Sequence, residues 1–190
     1  VILSIAIVIL VAGVILGVVF GFYLTRGIPE VDSLAYNLPM ETTKVYAKDG
    51  TLLQEYGAEK RILVSFTEIS PSFFDALIAV EDANFYKHHG ISIKGILRAL
   101  VRDITQRKAG QGGSTITMQL ARQYFLTPEK TITRKIKEIL LSLKIERRYT
   151  KQQILEMYAN KVCFGHGYYG IEAAARFYFG KKAIALTPDE

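Results

Sequence analysis

Cysteine is nearly missing from this chain: Cys163 is the only one in 190 residues. No internal disulfide can form, and no cysteine cluster is available for zinc. His88 and His89 have no third ligand within reach in the sequence, so a histidine-held metal is not expected. There is no internal repeat and no low-complexity segment. Charge is absent from Val1 to Thr25, and at ~1.5 Å per residue that run is long enough to cross a hydrocarbon core of ~30 Å. A cleaved signal peptide has a shorter apolar region and a small-residue cleavage site, whereas this run continues into Phe20, Phe22 and Tyr23. The expectation is one retained N-terminal transmembrane helix over residues 1–25. Gly13, Gly17 and Gly21 form a stripe on it that permits a transmembrane-helix dimer.

Basic residues are unevenly placed. The formal net charge is +6, but between Arg98 and Lys151 thirteen Lys or Arg face four acids, so that stretch alone carries +9 and the remainder −3. The middle of the chain therefore calls for an anion, with nucleic acid, anionic lipid headgroups and a diphosphate all open on charge alone. The chain opens inside an apolar run and stops just after Thr187-Pro188, a helix-start signal, which is expected of a segment of a longer protein.

Residues 26–44 hold Gly27, Pro29 and Pro39 and read as a linker. Residues 45–190 then form the main domain, which is long enough for a real core. Its first feature is a short β-hairpin, Lys44 to Ala47 and Thr51 to Tyr56, around the turn dipeptide Asp49-Gly50. From Pro71 the period becomes helical. Phe73, Phe74, Leu77 and Ile78 mark one short helix, and Ile93, Ile96, Leu97, Leu100, Val101 and Ile104 mark a second. Residues 107–113 are glycine-rich and polar and read as a mobile loop. Ser114 is placed to cap a helix running to about Phe125, and Thr127-Pro128 to start another with Ile132, Ile136, Ile139, Leu140 and Leu143 buried. Thr150 with Gln153 is a capping box. A last helix runs from Ile171 to about Phe179 and is closed by Gly180. The domain is mainly α.

Four segments stand out chemically. The stretch from Glu81-Asp82 through Phe85 and His88 to Gly90 resembles the E-D-x-x-F-x-x-H-x-G signature of family 51 glycosyltransferases. Gly112-Gly113-Ser114-Thr115-Ile116-Thr117-Met118-Gln119-Leu120-Ala121-Arg122 resembles their G-G-S-T-I-T-Q-Q-L-A-K/R signature, with Met118 in place of Gln. Arg134-Lys135-Ile136-Lys137-Glu138 is similar to their R-K-x-x-E. The segment from Lys151 through Tyr158, Asn160, Gly165, Gly170 and Glu172 to Lys181 matches the fourth block. The hairpin and Glu59-Lys60-Arg61 resemble the bifunctional class A penicillin-binding proteins, which implies a transpeptidase domain beyond Glu190.

The resemblance implies a lysozyme-like glycosyltransferase lobe with a smaller membrane-facing lobe. It further implies a peptidoglycan glycosyltransferase that polymerises lipid II into β-1,4-linked glycan strands and releases undecaprenyl diphosphate. The partners implied are lipid II, the growing glycan strand, the bacterial cytoplasmic membrane with the domain on its outer face, and divisome or elongasome proteins. Such a reaction needs a base for the acceptor hydroxyl and cations for the leaving diphosphate. Glu81, past an apolar helix where a carboxylate can be partly desolvated, is the candidate base; its alternative is a helix-terminal Glu paired with Lys87 or His88. Glu138 shares a helical face with Lys130 and Arg134, with Lys135 beside it, and is the candidate second carboxylate, with a divalent cation such as Mg near it left open. Its alternative is a solvated face with ordinary helix pairs. Ser114 and Thr115 at a helix N-terminus, with Gln119 and Arg122 beyond, are candidate substrate-binding residues, as are Lys130, Arg134 and Lys135. Asp82, Phe85, His88, Gly90 and Asn160 are expected to be structural. Arg147-Arg148 with Tyr168-Tyr169 could be read as a nucleic-acid surface. The tyrosines, however, lie between glycines beside an apolar helix, so nucleic acid is not expected as a partner. Two rival functions remain: a lysozyme-like hydrolase or lytic transglycosylase, and a membrane-tethered module for anionic lipid or nucleic acid.

Overall fold

A computed structural model describes residues 2–26, 28–35, 43–56, 60–98, 113–129 and 131–190. Helix α1 spans Ile2–Thr25 and holds no charged side chain over its 24 residues. Among the described residues no helix counts as long and apolar enough to cross a membrane.

The linker of the sequence reading is partly core. A 3-10 turn at Val31–Ala35 packs on α5 (Ile132–Arg148) and buries Val31 and Leu34. Tyr149 donates its hydroxyl to the Val31 carbonyl at 3.0 Å, and Arg148 Nε lies 2.8 Å from Asp32. The hairpin follows as expected, with β1 (Thr43–Tyr46) antiparallel to β2 (Leu52–Tyr56). Its turn holds Gly50 at a φ of 85°, and the Asp49 carboxylate accepts the Thr51 N–H, a bond that keeps this carboxyl below the usual carboxylate range.

The main body is built by α2 (Pro71–Glu81), α3 (residues 93–98), α4 (Ile116–Phe125), α5, α6 (Lys151–Lys161) and α7 (Ile171–Phe179). Helix α4 packs on both α5 and α6, and its buried Ile116, Leu120 and Ala121 meet Leu141, Ile145, Ile154 and Leu155 in one core. Strand β3 (Lys60–Arg61) pairs in parallel with β4 (Tyr168–Tyr169), which ties the start of the domain to its end. The Asn160 side chain secures that tie. Its Nδ2 donates to the carbonyls of Val64 and Glu156, its Oδ1 accepts the Val64 N–H, and its own carbonyl accepts from the Arg61 guanidinium.

Three local expectations are corrected. The cap of α4 is Thr115, whose Oγ1 accepts the Met118 N–H; Ser114 lies one residue too early and turns to Lys135 instead. Helix α5 starts at Ile132 behind the cap Thr131, four residues after Thr127-Pro128, because the Pro128 carbonyl is taken by the Arg134 guanidinium rather than by a helical N–H. The buried face of α5 is Glu138, Leu141, Ser142 and Ile145, while Ile132 is 82% exposed and Ile136, Ile139, Leu140 and Leu143 are only half-buried. Two polar residues on the inner stripe shift the buried face away from the one that hydrophobicity picks out. Of the long helix expected from Ile93 to Ile104, residues 93–98 are described; the rest of it, Lys130, Glu59 and residues 107–112 of the expected loop lie outside the described residues.

Candidate active site

A cleft of about 230 Å³ opens between the end of α2, the start of α4 and the 92–98 segment; Glu81, Asn84, Arg98, Ser114 and Thr115 are among its lining residues. The first motif is held below it by hydrogen bonds. His88 Nε2 sits 2.9 Å from Asp82 Oδ2, and the same buried oxygen accepts the Ile116 N–H at 3.2 Å, the N-terminal end of α4. Thr115 Oγ1 donates to the Gly90 carbonyl at 2.7 Å while it caps α4. Phe85 is fully buried with its ring 4.2 Å from Lys151 Nζ, and that ammonium donates to the His88 carbonyl and to Glu146. Thr117 donates to Glu146 at 2.6 Å, so one buried carboxylate joins α4, α5 and α6 beneath the cleft. His88, Asp82, Phe85 and Gly90 are thus all engaged in contacts within the domain, as is Asn160.

Glu81, the last residue of α2, is exposed at the cleft. The partial desolvation expected for it is absent, because the helix ends at the surface. It does not pair with Lys87 or His88. Its Oε2 instead accepts from Gln119 Nε2 at 2.7 Å, and Gln119 Oε1 in turn accepts the Tyr158 hydroxyl at 3.1 Å. Burial first, and then the charge of Glu81, push the Tyr158 phenol up to about 12, with Arg122 opposing. Arg122 therefore acts on this cluster, and it is not among the residues that line the cleft.

The second carboxylate is enclosed. Glu138 is 1% exposed, with Lys135 Nζ 3.0 Å from its Oε2 and Arg134 Nε 3.2 Å from its Oε1. The Arg134 contact lacks hydrogen-bond alignment and acts as an ion pair, since the fork is turned to give NH1 to the Pro128 carbonyl. The solvated-face alternative for Glu138 is thereby overturned. Lys135 Nζ also donates to Ser114 Oγ at 2.6 Å, which connects the buried carboxylate to the cleft lining. Both oxygens of Glu138 already face cations, a poor fit for a divalent ion at that carboxylate. No cluster of three or more His, Cys, Asp or Glu suited to a metal occurs among the described residues.

In the sequence Tyr158 stands only as a residue of the fourth block and Arg98 only as the start of the basic stretch, neither tied to Glu81. Arg98 is hidden inside a general excess of basic residues, and Tyr158 is an aromatic on an amphipathic helix 39 residues from its partner.

The arrangement offers an open carboxylate beside a cleft that cations approach from two sides, Arg98 and Lys135, in a mainly helical domain. Comparison with known proteins gives this arrangement its class. Residues 49–190 match the family model described as Transglycosylase, and the chain belongs to that family. It is 44% identical over 179 residues to the Penicillin-binding protein 1A of Escherichia coli and to that of Pseudomonas aeruginosa, covering 92% and 94% of this chain and 21% and 22% of those proteins. Penicillin-binding protein 1A of Vibrio cholerae is 41% identical over 181 residues, which covers 93% of this chain and 22% of that protein. The chain spans about a fifth of the length of these relatives.

Proposed function

We propose that the chain is the peptidoglycan glycosyltransferase portion of a bifunctional penicillin-binding protein and joins lipid II units into glycan strands. The observation behind the reading is the exposed Glu81 carboxylate, held through one oxygen by Gln119 at the edge of a cleft that also contains Arg98 and the Lys135-bound Ser114. In the proposed reaction Glu81 takes the proton of the acceptor sugar 4-hydroxyl. The oxygen then bonds to C1 of the donor sugar from the face opposite the diphosphate, and the C1–O bond breaks. Undecaprenyl diphosphate leaves with the electron pair, and inversion at C1 gives the β-1,4 linkage. Arg98, Lys135 and the α4 N-terminus offer positive charge to that leaving group. Lys130 and Arg122 are proposed as further contacts to it. Arg134, committed to Pro128 and Glu138, acts by holding Glu138 and Lys135 in place.

A hydrolase or lytic transglycosylase is not favoured. Hydrolysis of a glycosidic bond uses a second carboxylate to activate water or attack carbon, and Glu138 is enclosed between two cations. A nucleic-acid module fits poorly too, because Tyr168 stacks on Phe177 with centroids 4.0 Å apart and lies under Lys60, which occupies the faces that bases would use.

Helix α1 is proposed to span the bacterial cytoplasmic membrane, with the domain on the outer face where lipid II is presented. Its contact with α5 supports a domain that rests close to the bilayer. A transpeptidase domain beyond Glu190, and divisome or elongasome partners, belong to the same proposal. The test is incubation of the detergent-purified protein with labelled lipid II. Polymer that lysozyme digests is the expected product. Folded protein that makes none, or that instead releases soluble fragments from finished peptidoglycan, overturns the reading.

A further inference from the structure

Three residues from three helices form one hydrogen-bonded chain that ends on the proposed base: Tyr158 on α6, Gln119 on α4 and Glu81 on α2, separated in sequence by 39 and 38 residues. We propose that Tyr158 is a positioning residue for the transfer reaction, orienting Glu81 through Gln119. The proposal rests on the reading of Glu81 as the base.

Each link of this chain has a single permitted direction. An ionised carboxylate only accepts, so the side of the Gln119 amide that faces Glu81 at 2.7 Å must be the NH2. The amide oxygen then faces Tyr158, and a phenol meeting a carbonyl oxygen at 3.1 Å must donate. The carboxylate therefore decides which way the amide points, the donating phenol anchors the amide in that orientation, and the anchored amide decides which carboxylate oxygen is occupied. Without that hydroxyl the amide loses its far anchor, and its N–H bond to the carboxylate is free to swing and lengthen.

The anchor of the chain is stiffer than its end. Tyr158 is 4% exposed and sits on a helix started by the Thr150–Gln153 capping box and tied to α5 and the first motif by Lys151. Gln119 is half-buried and Glu81 exposed. A rigid interior thus reaches the surface through two bonds. Burial and the charge of Glu81 keep the phenol protonated to about 12, so it donates throughout the range in which a carboxylate base works. The chain orients Glu81 and does not conduct its proton: a primary amide turned NH2-outward offers Glu81 only donors. The proton taken by Glu81 must leave on its exposed side.

The experiment compares Tyr158→Phe, Gln119→Leu, the double variant and Glu81→Gln in lipid II polymerisation, with kcat, KM and the pH profile of kcat measured for each. Tyr158→Phe is expected to lower kcat about 10-fold with KM little changed, as loss of orientation does. The acid limb of its profile should move to higher pH, because a looser Gln119 N–H bond stabilises the ionised carboxylate less. Adding Tyr158→Phe to Gln119→Leu should cost nothing further, since both break one chain. A folded Tyr158→Phe variant with wild-type kcat and acid limb overturns the proposal, as do additive losses. If Tyr158→Phe fails to fold, an unmoved acid limb in Gln119→Leu overturns it instead. Full activity of Glu81→Gln removes the base reading itself, whereas an inactive Glu81→Gln beside a normal Tyr158→Phe leaves the base and removes only its positioning.

Discussion

Gly90 lies against Ser142 so closely that a Cβ on it would sit 2.8 Å from the Ser142 carbonyl oxygen. Its φ of 86° is in the left-handed region as well, so the first motif meets α5 at a point that accepts no side chain. Gly90→Ala is expected to destabilise the domain by roughly 2–4 kcal/mol, from backbone strain and the clash together. Gly50 has nearly the same φ with nothing within 4 Å of the added carbon, so Gly50→Ala should cost only about 1 kcal/mol. Urea unfolding of the two variants separates clash from strain.

Glu81→Gln should leave the urea midpoint unchanged, because the side chain is exposed and contributes one surface hydrogen bond. Turnover of lipid II should fall by about 10² or more for loss of the base. Binding of a phosphoglycolipid inhibitor, measured by fluorescence anisotropy, is expected to stay near the wild-type value.

Glu138→Gln should behave in the opposite manner. The carboxylate is buried between Lys135 and Arg134, and its neutralisation leaves two cations without their counter-charge. Lys135 is 40% exposed at its side chain and can find water, so the loss falls below that of a fully buried pair, to about 1–3 kcal/mol. Lys135 then relaxes away from Ser114, and both turnover and inhibitor binding should change. Arg134→Ala should weaken inhibitor binding and also lower the melting temperature, since it releases Pro128 and one side of Glu138.

Local signals were the legible part of this fold. The capping box at Thr150–Gln153, the hairpin at Asp49-Gly50 and the left-handed stop at Gly180 each depend on residues within a few positions of one another. The α5 face was misjudged because its inner stripe holds Glu138 and Ser142, whose burial depends on Lys135 and Arg134 and on the backbone at Gly90, facts of tertiary packing. Burial of the two carboxylates was not legible either: Glu81, expected to be partly desolvated, is exposed, and Glu138 is enclosed. Tyr158 is legible as a residue of the fourth block, but its role toward Glu81 is not, because its link to Gln119 exists only once α4 and α6 are packed.

The raised phenol of Tyr158 gives an alkaline signature. An unfolded tyrosine ionises near 10 and the folded one near 12, so the folded state holds its proton more firmly. The contribution of this group to stability is therefore complete below about pH 10 and is lost as pH rises toward about 12. Urea midpoints measured from pH 9 to 11.5 should fall more steeply in the wild-type protein than in Tyr158→Phe.

The glycine stripe of α1 gives the last test. A Cβ at Gly13, Gly17 or Gly21 would meet nothing within 4 Å, so Leu at all three is compatible with the helix itself. If the stripe serves helix approach in the bilayer, cysteine crosslinking between copies in membranes should drop in the triple variant. Unchanged crosslinking assigns the stripe no role.

The parallel pairing of Lys60 with Tyr168 fixes an order of events during synthesis. The two residues are 108 positions apart, so at ~5–20 residues per second the ribosome adds the second roughly 5–20 s after the first. Throughout that interval Val64 has no Asn160 side chain to bond, and the Arg61 guanidinium has no carbonyl to enter. The hairpin, by contrast, can zip as soon as Tyr56 emerges. A nascent chain stalled before Tyr169 therefore has a finished ornament and an unfastened body, and its 60–64 segment is where a protease or a holding factor would find extended backbone still waiting for its partner.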